Sequence, residues 1–286
     1  MSAPVIDAHH HFWDPARFAY PWMEGAEMAP LRRPFGPTDL APLIAANGVD
    51  ATLVVQCCSF VAETEAFLAI AEETPFIAGV IGWVDLTDPA VDATLDGMAS
   101  RAKLVGIRHQ VHDEADPHWL LRQDVQRGLA AVFRHDLTYD LLVRTRELPA
   151  AIEVARTFRQ GRFILDHAAK PTIATGITEG WRTGIEQLAQ RPNVWCKLSG
   201  LVTEADWRGW TVGQLLPAVR HTWNTFGEDR LIFGSDWPVC LLAADYAEVK
   251  RAAARCLEAL GAATSSKIWG ANAIAAYHLN IGDKAC

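Results

Sequence analysis

A chain of 286 residues that is 50% hydrophobic and 21% charged can bury a core without disulfide staples, which excludes a disordered or collagen-like polymer. Its 26 Lys and Arg against 34 Asp and Glu leave a formal charge of −8, and no basic-aromatic stripe is present, so no nucleic-acid partner is expected. No apolar run reaches the roughly 18 residues of a membrane helix. No charged-then-apolar leader precedes Val5-Ile6-Asp7-Ala8-His9, and the six cysteines lack C-x-x-C spacing. These features predict a cytoplasmic protein with reduced thiols and no membrane contact.

Short β-branched runs alternate with stretches of helical period. Strands are predicted at 5–12, 51–57, 77–84, 104–109, 138–143, 163–167, 194–198 and 231–235. Between them, helices are predicted from Thr38 onward and near 63–72, 124–134, 149–160, 179–190, 212–226 and 246–260. The fourth run opens with Pro149 and stops before Gly161, the usual asymmetry of helix ends. Eight such units predict an α/β protein of (β/α)8 TIM-barrel type, one domain over 1–286. A doubly wound sheet would carry a Gly-rich turn after its first strand, where this chain has His9-His10-His11-Phe12-Trp13. Residues 14–37, rich in Pro, Arg, Gly and aromatics, read either as a lid or as a segment wrapped around the barrel.

Barrels of this type place chemistry at strand C-termini. Side-chain alternation puts Asp7, His9 and His11 on one face and His10 on the other, where it reads as structural. Two imidazoles side by side can ligate one divalent metal or donate to one carbonyl oxygen. His167, after the apolar run Phe163-Ile164-Leu165, is expected inward, with Asp166 pointing away. Asp236 follows Gly234 on the last strand; it is either a general base that takes a proton from water or a helix N-cap. Arg108 should point inward, to bind substrate or to pair with Asp140 or Asp7. Lys197 reads as a substrate contact or a solvated lysine. Trp13, Trp22, Trp83 and Trp237 fall near the rim, stacking on a sugar ring or filling the gap beneath the loop.

Taken together, Asp7-Ala8-His9-His10-His11-Phe12-Trp13, Gly106-Ile107-Arg108-His109, Asp166-His167, Lys197-Leu198-Ser199-Gly200 and Gly234-Ser235-Asp236-Trp237-Pro238 resemble the amidohydrolase superfamily, and within it the sugar-lactonase branch. Tyr20-Pro21-Trp22 and Trp269-Gly270-Ala271-Asn272-Ala273 extend the resemblance nearly end to end. The resemblance implies a distorted barrel and hydrolysis of an aldonolactone (L-fucono-, L-rhamnono- or related) by an activated water. It maps His9, His11, His167 and Asp236 onto the catalytic or metal-binding positions. Binuclear relatives carry a bridging Lys or Glu on the fourth strand and a His on the fifth, where this chain has Arg108 and Tyr139-Asp140. The expectation is therefore one divalent metal such as Zn, or metal-free catalysis, in a monomer or homodimer. Arg108, Trp22, Trp83, Trp237 and Lys197 are expected to contact substrate. The rival activities on the same scaffold are metal-dependent decarboxylation of a small unsaturated acid and lactone opening in aromatic degradation. A non-catalytic binding protein would leave Asp236 without a task.

Overall fold

The computed structural model describes residues 3–262 and 265–281. Eight strands lie in chain order in one sheet: β1 Ile6–His10, β2 Ala51–Val55, β3 Ile77–Gly82, β4 Leu104–His109, β5 Thr138–Leu141, β6 Phe163–Leu165, β7 Val194–Leu198 and β8 Leu231–Phe233. Each pairs in parallel with the next. Beyond β8 the chain returns to β1: His11 N donates to Trp237 O and Asp236 N to His9 O, both at 2.7 Å. That contact nearly closes the ring, and the fold is a TIM-type (β/α)8 barrel.

The helices are α1 Pro37–Ala46, α2 Val61–Glu73, α3 Val91–Met98, α4 Gln123–Arg134, α5 Leu148–Thr157, α6 Glu179–Ala189, α7 Val212–Phe226, α8 Tyr246–Glu258 and α9 Asn272–Tyr277. Their apolar stripes explain the packing; α4, for instance, buries Val125, Leu129 and Val132 on one face. Reciprocal caps start α7 (Thr211 with Gln214) and α8 (Asp245 with Glu248), each contributing about 1 kcal/mol. Asp245 is thus the N-cap of α8, which removes the capping role considered for Asp236. Among the described residues no helix is long and apolar enough to cross a membrane. Cys57, Cys58, Cys196, Cys240 and Cys256 are buried free thiols; Cys286 lies outside the described residues.

Two apolar layers sandwich the strands. The outer one, with Val80, Ile107 and Leu165, packs on the helices; the inner one joins Ile6, Ala8, Leu53, Ile81, Ile164 and Ile232. Helix α9 closes the N-terminal end of the barrel, where Thr138 Oγ1 donates to Ala276 O at 2.9 Å. Neither α3 nor α9 was expected from the sequence. Both are short, and the Asp and Gly residues of α3 hide its period.

Two local irregularities decide where the functional side chains point. A register shift between Asp7 and His10 breaks the alternation of β1. Ala8 therefore joins the inner layer, while Asp7, expected beside His9 and His11, faces α8 and accepts from Tyr246 Oη at 3.0 Å. Strand β6 ends at Leu165, earlier than predicted, because His167, Ala168, Ala169 and Lys170 all take left-handed backbone (φ 53°, 48°, 58° and 51°). Such geometry costs about 1–2 kcal/mol per non-glycine residue, and runs of it persist where function needs them.

Candidate active site

The C-terminal ends of β1, β4, β6 and β8 meet at the floor of a cavity of about 170 Å³. His11, His167, Arg108 and Asp236 line it, and His9 lies immediately below, fully buried. Nε2 of His9 and Nε2 of His11 are 3.2 Å apart. Asp236 Oδ1 is 3.4 Å from His11 Nε2, 3.8 Å from His9 Nε2 and 4.0 Å from His167 Nε2. The four residues named from the sequence thus share one point in space.

Each imidazole is oriented from behind. His11 Nδ1 contacts Val55 O at 2.8 Å, so it must carry a proton, and the ring turns its Nε2 to the site. His9 Nδ1 lies 3.3 Å from Asp166 Oδ1 and 3.2 Å from Lys197 Nζ. His167 Nδ1 pairs with Ser199 Oγ at 2.9 Å. Burial holds His9 well below the usual imidazole range, and the positive charge of Lys197 adds to it against the pull of Asp166. Burial likewise lowers His167 to about 4, although Asp236 opposes the shift. Burial alone would raise Asp236; His167, His11 and His9 outweigh it and hold the carboxyl well below its ordinary value. At neutral pH the site therefore presents neutral His9 and His167 rings beside an ionised carboxylate.

Two glycines make the convergence sterically feasible. A Cβ on Gly234 would sit 2.6 Å from Cβ of His9. At Gly200, whose φ of +62° already favours glycine, a Cβ would sit 2.6 Å from His167 Nδ1 and 3.0 Å from Asp236 Oδ2.

Asp166 is inward, contrary to the alternation argument, because the left-handed turn after β6 lets both it and His167 reach the site. It accepts from Arg108 Nη1 at 3.1 Å and lies 3.1 Å from Lys197 Nζ. Arg108 also donates to Gln56 O, and its Nη1 comes within 3.2 Å of His9 Nε2. Its ion-pair partner is Asp166, neither Asp140 nor Asp7. Lys197, considered as a substrate contact or a solvated lysine, is fully buried and does not line the cavity. It donates to Asp140 Oδ2 at 2.6 Å, and Tyr277 Oη from α9 donates to the same carboxylate at 2.8 Å.

Of the rim tryptophans, Trp22 lines the cavity. It belongs to a 3-10 turn, Pro21–Met23, of the segment 14–37, whose base is tied by Trp13 N to Phe35 O at 3.1 Å. Trp83 and Trp237 do not line it. Trp83 Nε1 donates to His109 Nδ1 at 2.9 Å, and Trp237 packs edge-on against Phe12 and Phe35. His109, left unassigned from the sequence, stacks on Trp119 at 4.2 Å and pairs with Glu114. Structural His10 bonds Thr52 Oγ1 at 2.9 Å. The remaining wall holds Gln110, His112, Asp113 and Lys170, none of which the sequence singled out. They come from irregular turns after β4 and β6, where no periodicity marks which way a side chain faces.

The atoms His9 Nε2, His11 Nε2 and Asp236 Oδ1 are all acceptors in these states, and ligand atoms of the three residues lie within 4.8 Å of one another. Two imidazoles and a carboxylate, with the outer ring nitrogens held by Val55 O and Asp166, form a donor set that fits one divalent cation.

The amidohydrolase family profile matches residues 6–279. An L-fucono-1,5-lactonase of Burkholderia ambifaria is 39% identical over 279 residues, 96% of this chain and 96% of that protein. The L-fucono-1,5-lactonase of Burkholderia multivorans is 40% identical over 294 residues, 98% and 97% of the two chains. A zinc-bound crystal structure of an amidohydrolase from Burkholderia multivorans superposes with a TM-score of 0.92 at 40% identity, covering 97% of this chain and 100% of that one.

Proposed function

The chain belongs to the amidohydrolase family, and from that premise we propose that it is a lactonase opening a neutral aldonolactone of the L-fucono-1,5-lactone type. The observation that carries the reading is the meeting of Asp236 with three imidazoles on the floor of a cavity sized for one sugar ring. The near full-length similarity to two L-fucono-1,5-lactonases supports the substrate class.

In this reading Asp236, ionised and set among the imidazoles, holds a water and takes its proton as the oxygen attacks the lactone carbonyl. With Nδ1 accepting from Ser199, His167 donates Nε2–H toward the carbonyl oxygen as negative charge develops there. Protonated Asp236 then returns its proton to the ring oxygen as the C–O bond breaks, leaving the open-chain hydroxy acid. His9, His11 and Asp236 would hold a divalent metal, zinc in our proposal. Bound there, it supplies Lewis-acid polarisation and acidifies water. Asp166 and Val55 O keep the two ligating rings in place, and Arg108 braces Asp166. The segment 14–37 acts as a lid, with Trp22 covering the ring.

Anionic substrates fit this cavity poorly, which disfavours decarboxylation of a small acid and lactone opening of an acidic aromatic-degradation intermediate. Arg108 is already paired with Asp166 and Lys170 with Glu204, while the carboxylate of Asp113 lines the wall. An aldonolactone panel followed with a pH indicator tests the proposal. Release of one proton per turnover from L-fucono-1,5-lactone is the expected result. Silence across the panel, with CO2 evolved from a carboxylic acid instead, contradicts it.

A further inference from the structure

The cavity lining is mixed: Trp22, Leu142 and Val239 supply apolar surface, and Gln110, His112, Asp113 and Lys170 supply polar groups. The polar groups differ in how much hydrogen-bonding capacity they retain. Gln110 spends its carbonyl on Ser59 Oγ and one N–H on Cys57 O. Lys170 gives one N–H to Glu204 Oε1 at 2.8 Å, which neutralises its charge and leaves further donors. His112 Nε2 lies 3.3 Å from Asp113 Oδ1. Nδ1 of the same ring is buried with no partner among the described residues. Burial, reinforced by Lys170, Arg144 and Arg108, lowers His112 to about 3, so the ring is neutral and both donates and accepts.

We infer that His112 and Lys170 are the specificity-determining residues of the site, binding the ring hydroxyls of the sugar lactone while its C–H surface lies against the apolar side chains of the lining. A hydroxyl is at once donor and acceptor, and only a wall offering both satisfies it without leaving a buried group unpaired. Lys170 supplies donors, Asp113 an acceptor, and neutral His112 either. The left-handed turn that swings His167 to the floor also delivers Lys170 to the wall, so one strained segment serves both chemistry and recognition.

The inference rests on the lactonase reading, and the test separates the two. For the wild type, His112→Phe and Lys170→Met, kcat/KM is measured on L-fucono-1,5-lactone and on δ-valerolactone, the same ring without hydroxyls. Each variant should lower the ratio of the two values by about tenfold or more, the loss expected for one hydrogen bond. Because the ratio is internal to each preparation, partial misfolding does not move it, and the two variants lie on different segments. A wild type that opens both lactones, with a ratio unmoved in both variants, overturns this assignment and leaves the lactonase standing. A wild type that opens neither overturns both.

Discussion

His9 and His11 bring their Nε2 atoms to 3.2 Å of each other while their Nδ1 atoms are held by Asp166 and by Val55 O. Two lone pairs facing across that gap beside the Asp236 carboxylate are stabilised by a cation. Calorimetric titration with Zn²⁺ should find one ion per chain. At a free concentration a hundredfold above Kd, binding should add about 2.7 kcal/mol to folding stability, visible as a rise in Tm. His11→Ala should abolish both effects. An unmodified chain that takes up no ion and melts unchanged contradicts the ligand assignment.

Gly200 has a comparable bearing on His167, since a methyl group there would overlap the ring and crowd Asp236. Gly200→Ala should cost about 1–2 kcal/mol from the left-handed backbone alone. It should also lower kcat more than it raises KM, by displacing both groups. Urea unfolding and steady-state kinetics check this; wild-type kcat in the variant would show that the floor tolerates the displacement.

Lys197 neutralises two buried carboxylates at once, Asp140 at 2.6 Å and Asp166 at 3.1 Å. Lys197→Met fills much of the volume but removes the cation shared by the two acids, leaving Asp140 with Tyr277 and Asp166 with Arg108 and His9. The expected destabilisation is about 3–5 kcal/mol, measured by urea unfolding at neutral pH. A loss below about 1 kcal/mol would mean the carboxylates find another counterion.

Glu63 carries a pH signature. Its carboxylate is fully buried, accepts the N–H groups of Cys57 and Cys58 at 2.7 and 2.8 Å, and has no partner for Oε1 among the described residues. Burial pushes it up to about 7 from 4.5, against the pull of those N–H groups and Arg108. The folded state therefore binds this proton more tightly than the unfolded chain. Its contribution to stability is complete below about pH 4.5 and is lost as pH rises through about 7. A shift of that size corresponds to about 3 kcal/mol. Glu63→Gln should flatten the fall and be more stable than wild type above pH 8 (~1 unit past the titration). Parallel stability curves for the two proteins between pH 4.5 and pH 8 contradict this.

Much of this architecture was legible in the sequence. The eight strands and the meeting of His9, His11, His167 and Asp236 follow from polar residues at the ends of buried β-branched runs. The orientations that failed did so for identifiable reasons. Asp7 turned outward at a bulge, and Asp166 turned inward where a left-handed turn replaced the end of β6. Period-two alternation cannot register either event. Lys197 looked available because its partners, Asp140 and Asp166, lie on other strands. His112 and Lys170 sit on irregular turns, where facing is set by tertiary contacts alone.

In the proposed mechanism Asp236 moves the proton. Asp236→Asn keeps the shape and removes the base, so kcat for L-fucono-1,5-lactone at pH 7 should fall about 10²- to 10⁴-fold, with Tm near that of the wild type. An Asn variant that folds and turns over at the wild-type rate would contradict the account.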